Sequence, residues 1–363
     1  MKDSCERKPT ECCGRDPDAM GPARQNAAPL VSFIIPTHNY GRYVVEAVES
    51  ALAQTYRNFE IIVVDDGSTD NTRQLLEPLR DRLQYIWRPQ GGPSAARNSG
   101  IRASRGELIA FLDADDRWLP DKTRLQVSYL FEHPGIGLVS TRTSLMDEAG
   151  RSSSRREAPR DPVLELPAGK AFRDLFRQTN YIATSTVILR RECLETVGVF
   201  DESLSRVEDK NLWLRLGRCF GIARLPQRLA LHRHHQSNLA LDRDPMRRAA
   251  FANLDRICAL YPDAARARNR ESVRLFLKFG LQDIYEGRLQ GARSNLAAAI
   301  RLRPFVPAVY PLLAASYAPP WLVEVARAAS RTSRAGLRSV AALVRAPRRG
   351  RGRLRPPGRE AGA

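Results

Sequence analysis

The sequence lacks any run of about 18 uncharged apolar residues, the length a membrane-crossing helix needs, so no spanning helix is expected in its 363 residues. No secretory leader is expected from the first residues either. Met1 to Asn26 carries many charges and no apolar core segment, so the chain is expected to start out in the cytoplasm. The six cysteines, Cys5, Cys12, Cys13, Cys193, Cys219 and Cys258, form no C-x-x-C pair and have no histidine cluster at zinc spacing. Reduced thiols are the expectation. Acid is scarce at one end. From Arg327 onward there are eleven arginines and one acid, Glu360, so this segment carries more than half of the formal net charge of +18. Basicity is therefore a property of the tail, and no nucleic-acid partner is expected from it.

The hydrophobic fraction, 43%, is ample for a buried core. Residues 1–28 show no period and read as disordered. Order is expected from 29 to 240. Four short apolar runs there, Leu30 to Pro36, Phe59 to Val64, Leu83 to Trp87 and Leu108 to Leu112, have the length and branching of buried strands. Helical spacing lies between them, as in Val44, Val45, Val48, Ala51 and Leu52. Alternation of this kind predicts an α/β fold with a doubly wound, mostly parallel sheet, whose ligands bind beyond the carboxyl ends of the strands. The polar stretch 147–168 reads as a loop. A strand is expected at Ser185 to Leu189, a helix from Glu208 to Leu216 and a strand at Arg228 to Leu231. From 241 to 318 the pattern is helical, with a hairpin over Leu275 to Leu302 turning near Gly287. Residues 319–363 read as an amphipathic basic stretch that fades into disorder.

Several strand ends are acidic. In Asp113-Ala114-Asp115 two carboxylates two positions apart could face one ligand. Hard oxygen ligands of this kind suit Mg²⁺ or Mn²⁺ on a diphosphate, although a solvated acidic turn has the same composition. An EF-hand is excluded, because Trp118 fills the loop position that needs glycine. Asp66, in Asp65-Asp66-Gly67-Ser68-Thr69-Asp70, could accept hydrogen bonds from a base or ribose, with Ser68 or Thr69 capping the following helix. Gly91-Gly92-Pro93 permits close backbone approach, and Arg97 after it could reach a phosphate. That loop matches neither a dinucleotide fingerprint nor a P-loop. Glu208-Asp209 could supply a general base or simply favour a helix start. His232-Arg233-His234-His235 could offer a ligand to a metal or diphosphate.

The series Val31-Ser32-Phe33-Ile34-Ile35-Pro36-Thr37-His38-Asn39, Val64-Asp65-Asp66-Gly67-Ser68-Thr69-Asp70, Ala95-Ala96-Arg97-Asn98-Ser99-Gly100 and Phe111-Leu112-Asp113-Ala114-Asp115-Asp116 resembles glycosyltransferase family 2 over about residues 30–238. The resemblance implies a GT-A fold and an inverting transfer from a nucleotide-diphospho-sugar, with a UDP-, GDP- or dTDP-linked donor and a glycan or lipid-linked acceptor, in cell-envelope polysaccharide or glycolipid synthesis. It implies that Pro36, Thr37, His38 and Asn39 line the nucleotide pocket, that Asp66 reads the base and that Arg97 lies near the nucleotide. Asp113 would contact ribose or metal. Asp115, with His235, would hold a divalent Mn²⁺ or Mg²⁺ ion, and Asp209 would be the catalytic base. Lys210-Asn211 departs from the family pattern, which has an aromatic and an acid there. A catalytically silent nucleotide-sugar-binding module stays open as the alternative. The basic tail, apolar residues among arginines, suits contact with the inner face of an anionic plasma membrane.

Overall fold

Strand β1 (Val31–Thr37) is buried on both faces, which explains its unbroken apolar run. Val31, Phe33 and Ile35 pack with Val44, Ala47, Val48 and Ala51 of helix α1 (Gly41–Leu52) on one side. Ile34 joins Ile101, Ile109 and Phe111 on the other. A fully buried valine is worth about 1.5–3 kcal/mol, against a few tenths lost to its weak helix propensity. Burial therefore decides that α1 is helical.

The chain is described here from a computed structural model covering residues 28–152, 161–177, 182–235 and 243–317. After α1 come β2 (Phe59–Asp66), α2 (Thr72–Leu76), a 3₁₀ turn (Glu77–Arg82), β3 (Gln84–Arg88), α3 (Pro93–Ala103) and β4 (Leu108–Phe111). Next are β5 (Arg117–Trp118), α4 (Lys122–Glu132), β6 (Ile136–Met146), β7 (Leu164–Leu166) and α5 (Lys170–Arg177). A 3₁₀ turn (Thr184–Thr186), β8 (Ile188–Arg190), α6 (Arg191–Val197), α7 (Glu208–Cys219) and β9 (Gly221–Arg233) follow. The strands form one mixed sheet in the order β3-β2-β1-β4-β8-β6-β9-β5, with β7 paired to β9. Strands β3, β2, β1 and β4 are mutually parallel, in registers such as Ile34 opposite Ile62 and Phe111. Their carboxyl ends, with Thr37, Asp66 and Asp113, therefore share one rim of the sheet. The expected doubly wound, mixed sheet is present.

Helix α3 lies directly on β1. A Cβ at Gly100 would come within 2.4 Å of Ile34 Cγ2, so only glycine allows this approach. Local expectations fail elsewhere. The strand expected at Ser185 to Leu189 begins only at Ile188. The three residues before Val187 turn as 3₁₀ because their hydroxyls bond across the fold or back to the local carbonyl of Ala183. The loop reading of 147–168 misses β7, whose Leu164–Leu166 pairs with Ile222 to Arg224. Strand β9 runs from Gly221 to Arg233, well beyond Arg228 to Leu231.

Contacts divide the chain into Met1–Glu271 and Ser272–Ala363. Helices α8 (Arg243–Leu260) and α9 (Pro262–Ala265) belong to the first unit; α10 (Arg268–Glu286) begins at the division, with α11 (Leu289–Leu302) and α12 (Val309–Ala315) beyond it. In the second unit Val273, Leu277, Leu296, Ala299 and Val309 form the core. The expected hairpin turns at Gly287, with φ of 80°. Asp283 closes it by accepting from Arg288 at 2.6 Å and from Asn295 at 2.8 Å. Among the described residues no helix is long and apolar enough to cross a membrane, and Cys193 and Cys258 are free thiols. The expected basic tail, 319–363, and the N-terminal segment up to residue 27 lie outside the described residues.

Lys122, at the start of α4, is fully buried; its Nζ has no hydrogen-bond partner among the described residues and sits 4.1 Å from the Trp118 ring centroid. Burial holds its pKa well below the usual ammonium range. The unfolded chain keeps that proton up to about pH 10, so folding releases it and the native state is penalised more as pH falls toward the folded pKa. Lys122→Met is expected to raise the melting temperature near neutral pH, with a gain that shrinks as pH approaches about 10. Thermal melts across pH check this; a gain independent of pH would contradict it.

Candidate active site

The loop after β1 is stapled to the loop after β2. Asn39, at φ of 56°, accepts through its side-chain oxygen from the backbone of Thr69 at 2.8 Å, and its own N–H donates to Ser68 Oγ at 2.9 Å. The Ser68 hydroxyl is thus turned to Asn39, and α2 begins later, at Thr72. Neither Ser68 nor Thr69 is its cap, since Asp70 instead accepts from Thr72 N at 3.0 Å and from Gly41 N of α1 at 2.9 Å. His38 Nδ1 lies 2.9 Å from the carbonyl oxygen of Asp66. Pro36 is half-buried within β1. Thr37 Oγ1, at the strand end, is buried and lacks a hydrogen-bond partner among the described residues. It is the kind of orphaned polar atom that a ligand would satisfy.

Asp66 is itself buried and organises the glycine turn. Its carboxylate pairs with Arg88 and accepts from Gly91 N at 3.0 Å and Gly92 N at 2.7 Å. Asp65 points elsewhere, accepting from Tyr85 Oη at 2.6 Å and Ser68 N at 2.8 Å.

Arg97, on α3, is 5% exposed. One end of its guanidinium donates to Asp113 at 2.7 Å and the other to Glu208 at 2.7 Å. These two acids hold its pKa above the ordinary guanidinium value against the opposing effect of burial. Arg97 thereby joins the β4 loop to the start of α7. A second tie runs through the 3₁₀ turn. Thr184 Oγ1 donates to Asp209 at 3.1 Å, while Ser185 Oγ donates to Asp116 at 2.5 Å and accepts from Asp113 N at 3.1 Å. Asp209, more than ninety residues on, is so brought to the rim that carries Asp113 and Asp115.

The three aspartates of the β4 loop differ in environment. Asp116 is neutralised by His232, whose pKa its hydrogen bond raises to about 9, and also accepts from Arg233 N at 3.0 Å. Asp113 is one-third exposed. Asp115 is buried, and that burial together with Asp116 and Asp113 pushes its pKa up to about 8. Its Oδ2 lies 2.9 Å from His235 Nε2, and burial keeps His235 toward the neutral form. Among the described residues no three His, Cys, Asp or Glu side chains are arranged to hold a metal by themselves. Asp115 and His235 touch, while Asp113 turns toward Arg97. His235 also packs against Tyr43 and Tyr40, at ring separations of 5.2 and 5.7 Å.

Asp209 sits in the first turn of α7, almost fully buried, with Oδ1 2.6 Å from Lys210 N. Asn211, where the sequence departs from the pattern, faces the core. It donates to Asn253 at 2.8 Å and accepts from Arg215 at 3.0 Å. Sequence reading missed Tyr40, Tyr43, Thr184, Ser185 and Arg233. Arg233 ends β9 and is buried, as is His235 two residues on, while His234 between them is exposed.

Removing Arg97 strands two acids. Arg97→Met is expected to cost about 3–5 kcal/mol, the usual penalty for breaking a buried pair from one side. Glu208→Gln, which keeps a hydrogen-bond acceptor, should cost clearly less. Urea unfolding of both variants checks the order, and equal small losses would contradict it.

Residues 32–198 match the sequence profile of glycosyl transferase family 2. TuaG of Bacillus subtilis, a glycosyltransferase assigned to teichuronic acid biosynthesis, is 32% identical over 195 residues, covering 53% of this chain and 73% of TuaG. Uncharacterised glycosyltransferases of Rickettsia felis and Rickettsia typhi are 36% and 34% identical, but the chain spans only 32% and 61% of their lengths. Among solved structures, S. aureus TarS 1–349 in complex with UDP-GlcNAc is similar with a TM-score of 0.55 at 18% identity, over 84% of this chain and 92% of that one. The mannosyltransferase PcManGT from Pyrobaculum calidifontis, in complex with GDP-Man and Mn²⁺, gives 0.55 at 18%, over 88% and 86%. These likenesses bear out the GT-A fold, and with the profile match and the TuaG relationship the chain belongs to glycosyltransferase family 2.

Proposed function

We propose that this glycosyltransferase transfers a sugar, with inversion, from a nucleotide-diphospho-sugar to an acceptor hydroxyl in cell-envelope polysaccharide or glycolipid synthesis. One observation carries the reading: Arg97 and the Thr184–Thr186 turn draw the β4-loop acids and the start of α7 together. TuaG's assignment supports the envelope role. The donors bound by TarS and PcManGT support a nucleotide sugar, UDP- or GDP-linked, with a dTDP-linked donor kept from the sequence expectation.

In this reading Pro36, Thr37, His38 and Asn39 border the nucleotide, and the unsatisfied Thr37 hydroxyl finds its partner there. Asp66 reads the base while its carboxylate also holds the glycine turn in shape. Asp113 divides its carboxylate between Arg97 and the donor. The donor set suits a divalent cation. Asp115 is an acid crowded by two others, beside a neutral imidazole, and a hard dication relieves that repulsion. Asp115 and His235 would hold the ion, with diphosphate and water oxygens as its further ligands, the hard donors such cations prefer. When bound, the ion neutralises charge on the departing diphosphate. Asp209 takes the proton from the acceptor hydroxyl, and Thr184 fixes the carboxylate that does so. A single displacement on the face opposite the leaving group inverts the anomeric centre. Lys210-Asn211 does not weaken this assignment, because Asn211 is spent on packing against Arg215 and Asn253.

A thermal-shift screen of nucleoside diphosphates and nucleotide sugars with Mn²⁺ or Mg²⁺ tests the donor side. Ligand at 100 times its Kd should add roughly 2.7 kcal/mol. Asp115→Ala should abolish the metal-dependent part of that gain. With a donor and acceptor in hand, Asp209→Asn should slow nucleoside diphosphate release by about 10² to 10⁴ while donor binding survives. Donor binding without any turnover in the native protein would favour a silent binding module. For the tail, residues 319–363 are proposed to hold the protein at the inner face of an anionic membrane, near a lipid-linked acceptor. Sedimentation with anionic liposomes should fall on deleting that segment; equal pelleting with and without it would end the idea.

A further inference from the structure

We infer that Arg233 is a positioning residue for the cation-binding acid Asp115 and that Glu46 of α1 is the counter-ion through which it acts. This rests on the cation reading above. Arg233, the last residue of β9, is among the largest fully buried side chains of the protein. Its Nε donates to the carbonyl oxygen of Asp115 at 2.9 Å, and Nη1 donates to the carbonyl oxygen of Glu148 at 2.9 Å. Nη2 pairs with the Glu46 carboxylate. The guanidinium also lies 4.6 Å over the Tyr43 ring, and the backbone N–H holds Asp116. One side chain thus grips the peptide of Asp115, the turn after β6 and helix α1.

Two residues on, His235 meets the Asp115 carboxylate. Tyr43, which stacks on Arg233, also packs against His235. The carbonyl bond to Arg233 fixes the orientation of the Asp115 peptide, and with it the direction in which the carboxylate leaves the backbone. Glu46 keeps the guanidinium in place; Arg117, which pairs with Glu46 at 2.6 Å and donates to the Gly150 carbonyl, closes the cluster. A lysine could balance the charge of Glu46, but its single ammonium cannot hold the flat, forked set of contacts to two carbonyls and a carboxylate. The same helix begins at Gly41, next to the loop bordering the nucleotide, so the fold ties the nucleotide side and the cation side through Glu46 and Arg233.

The test uses the full chain and reads the metal-dependent increment in nucleotide affinity. The Kd for UDP and for GDP is measured by calorimetry with and without Mn²⁺, in the native protein and in Arg233→Met, Arg233→Lys and Glu46→Gln. In Arg233→Met the increment is expected to fall about tenfold or more, the usual effect of losing a group that orients a metal ligand, with metal-free nucleotide affinity unchanged. Arg233→Lys and Glu46→Gln should lose it in part, and the double variant Arg233→Met/Glu46→Gln no more than Arg233→Met alone. A purely structural role would lower melting temperature and metal-free binding together. If Arg233→Met fails to fold, the two milder variants decide the matter. A native increment kept in every folded variant overturns the inference; no increment in the native protein overturns the cation reading and this inference with it.

Discussion

A single buried guanidinium holds the site together. Arg97 stands between Asp113 and Glu208, one acid on a loop that ends a strand and the other on the first turn of a helix 95 residues later. Glu208 could not stay buried alone, since an unpaired carboxylate in a low-dielectric setting costs several kcal/mol. Nor could Arg97, whose Nε has no hydrogen-bond partner among the described residues even so. The trio is stable only when β4, α3 and α7 are all in place. Gly100, one turn beyond Arg97, brings α3 against β1 closely enough to aim the side chain at both acids. Packing by the smallest residue and pairing by one of the largest are thus two halves of one arrangement.

That arrangement distributes charge unevenly along the rim. Asp116 has His232 and two further donors, and Asp113 has Arg97. Asp115 has a histidine that burial keeps toward its neutral form. The fold therefore holds Asp115 buried beside two other acids and against His235, where like charges crowd one carboxylate. That crowding is what the proposed divalent cation would relieve.

Much of this was legible in the sequence. The parallel half of the sheet announces itself because its strands are buried on both faces and so read as unbroken apolar runs ending in acids. The rest of the sheet does not. β6 and β9 pair in parallel with register shifts, carry Arg142, Arg224 and Arg228, and show no such run. Thr184 to Thr186 has β-branched residues on the edge of an apolar segment, yet bonds made to Asp209 and Asp116 win over the strand preference. The placement of Ser68 was equally hidden. Whether a hydroxyl caps its own helix or staples a loop nearly thirty residues earlier is decided by tertiary proximity, and local spacing carries no record of it. Arg97 was visible as a residue that matters, but where its guanidinium points is set by two acids that only the fold brings near.

The neighbours Glu208 and Asp209 show how one helix start serves two ends. Successive residues on a helix point about 100° apart, so the two carboxylates cannot face the same partner. Glu208 is longer and reaches Arg97; Asp209 is shorter and stays beside Thr184. Exchanging the two would leave the shorter acid to span the gap to Arg97 and crowd the longer one against Thr184. Asn211 then falls on the inner face, where it needs to satisfy Arg215 and Asn253, and an amide can both accept from the one and donate to the other. A carboxylate at that position could only accept. The departure at Asn211 is therefore explained by what α7 packs against, and the carboxylate at the helix start is free of it.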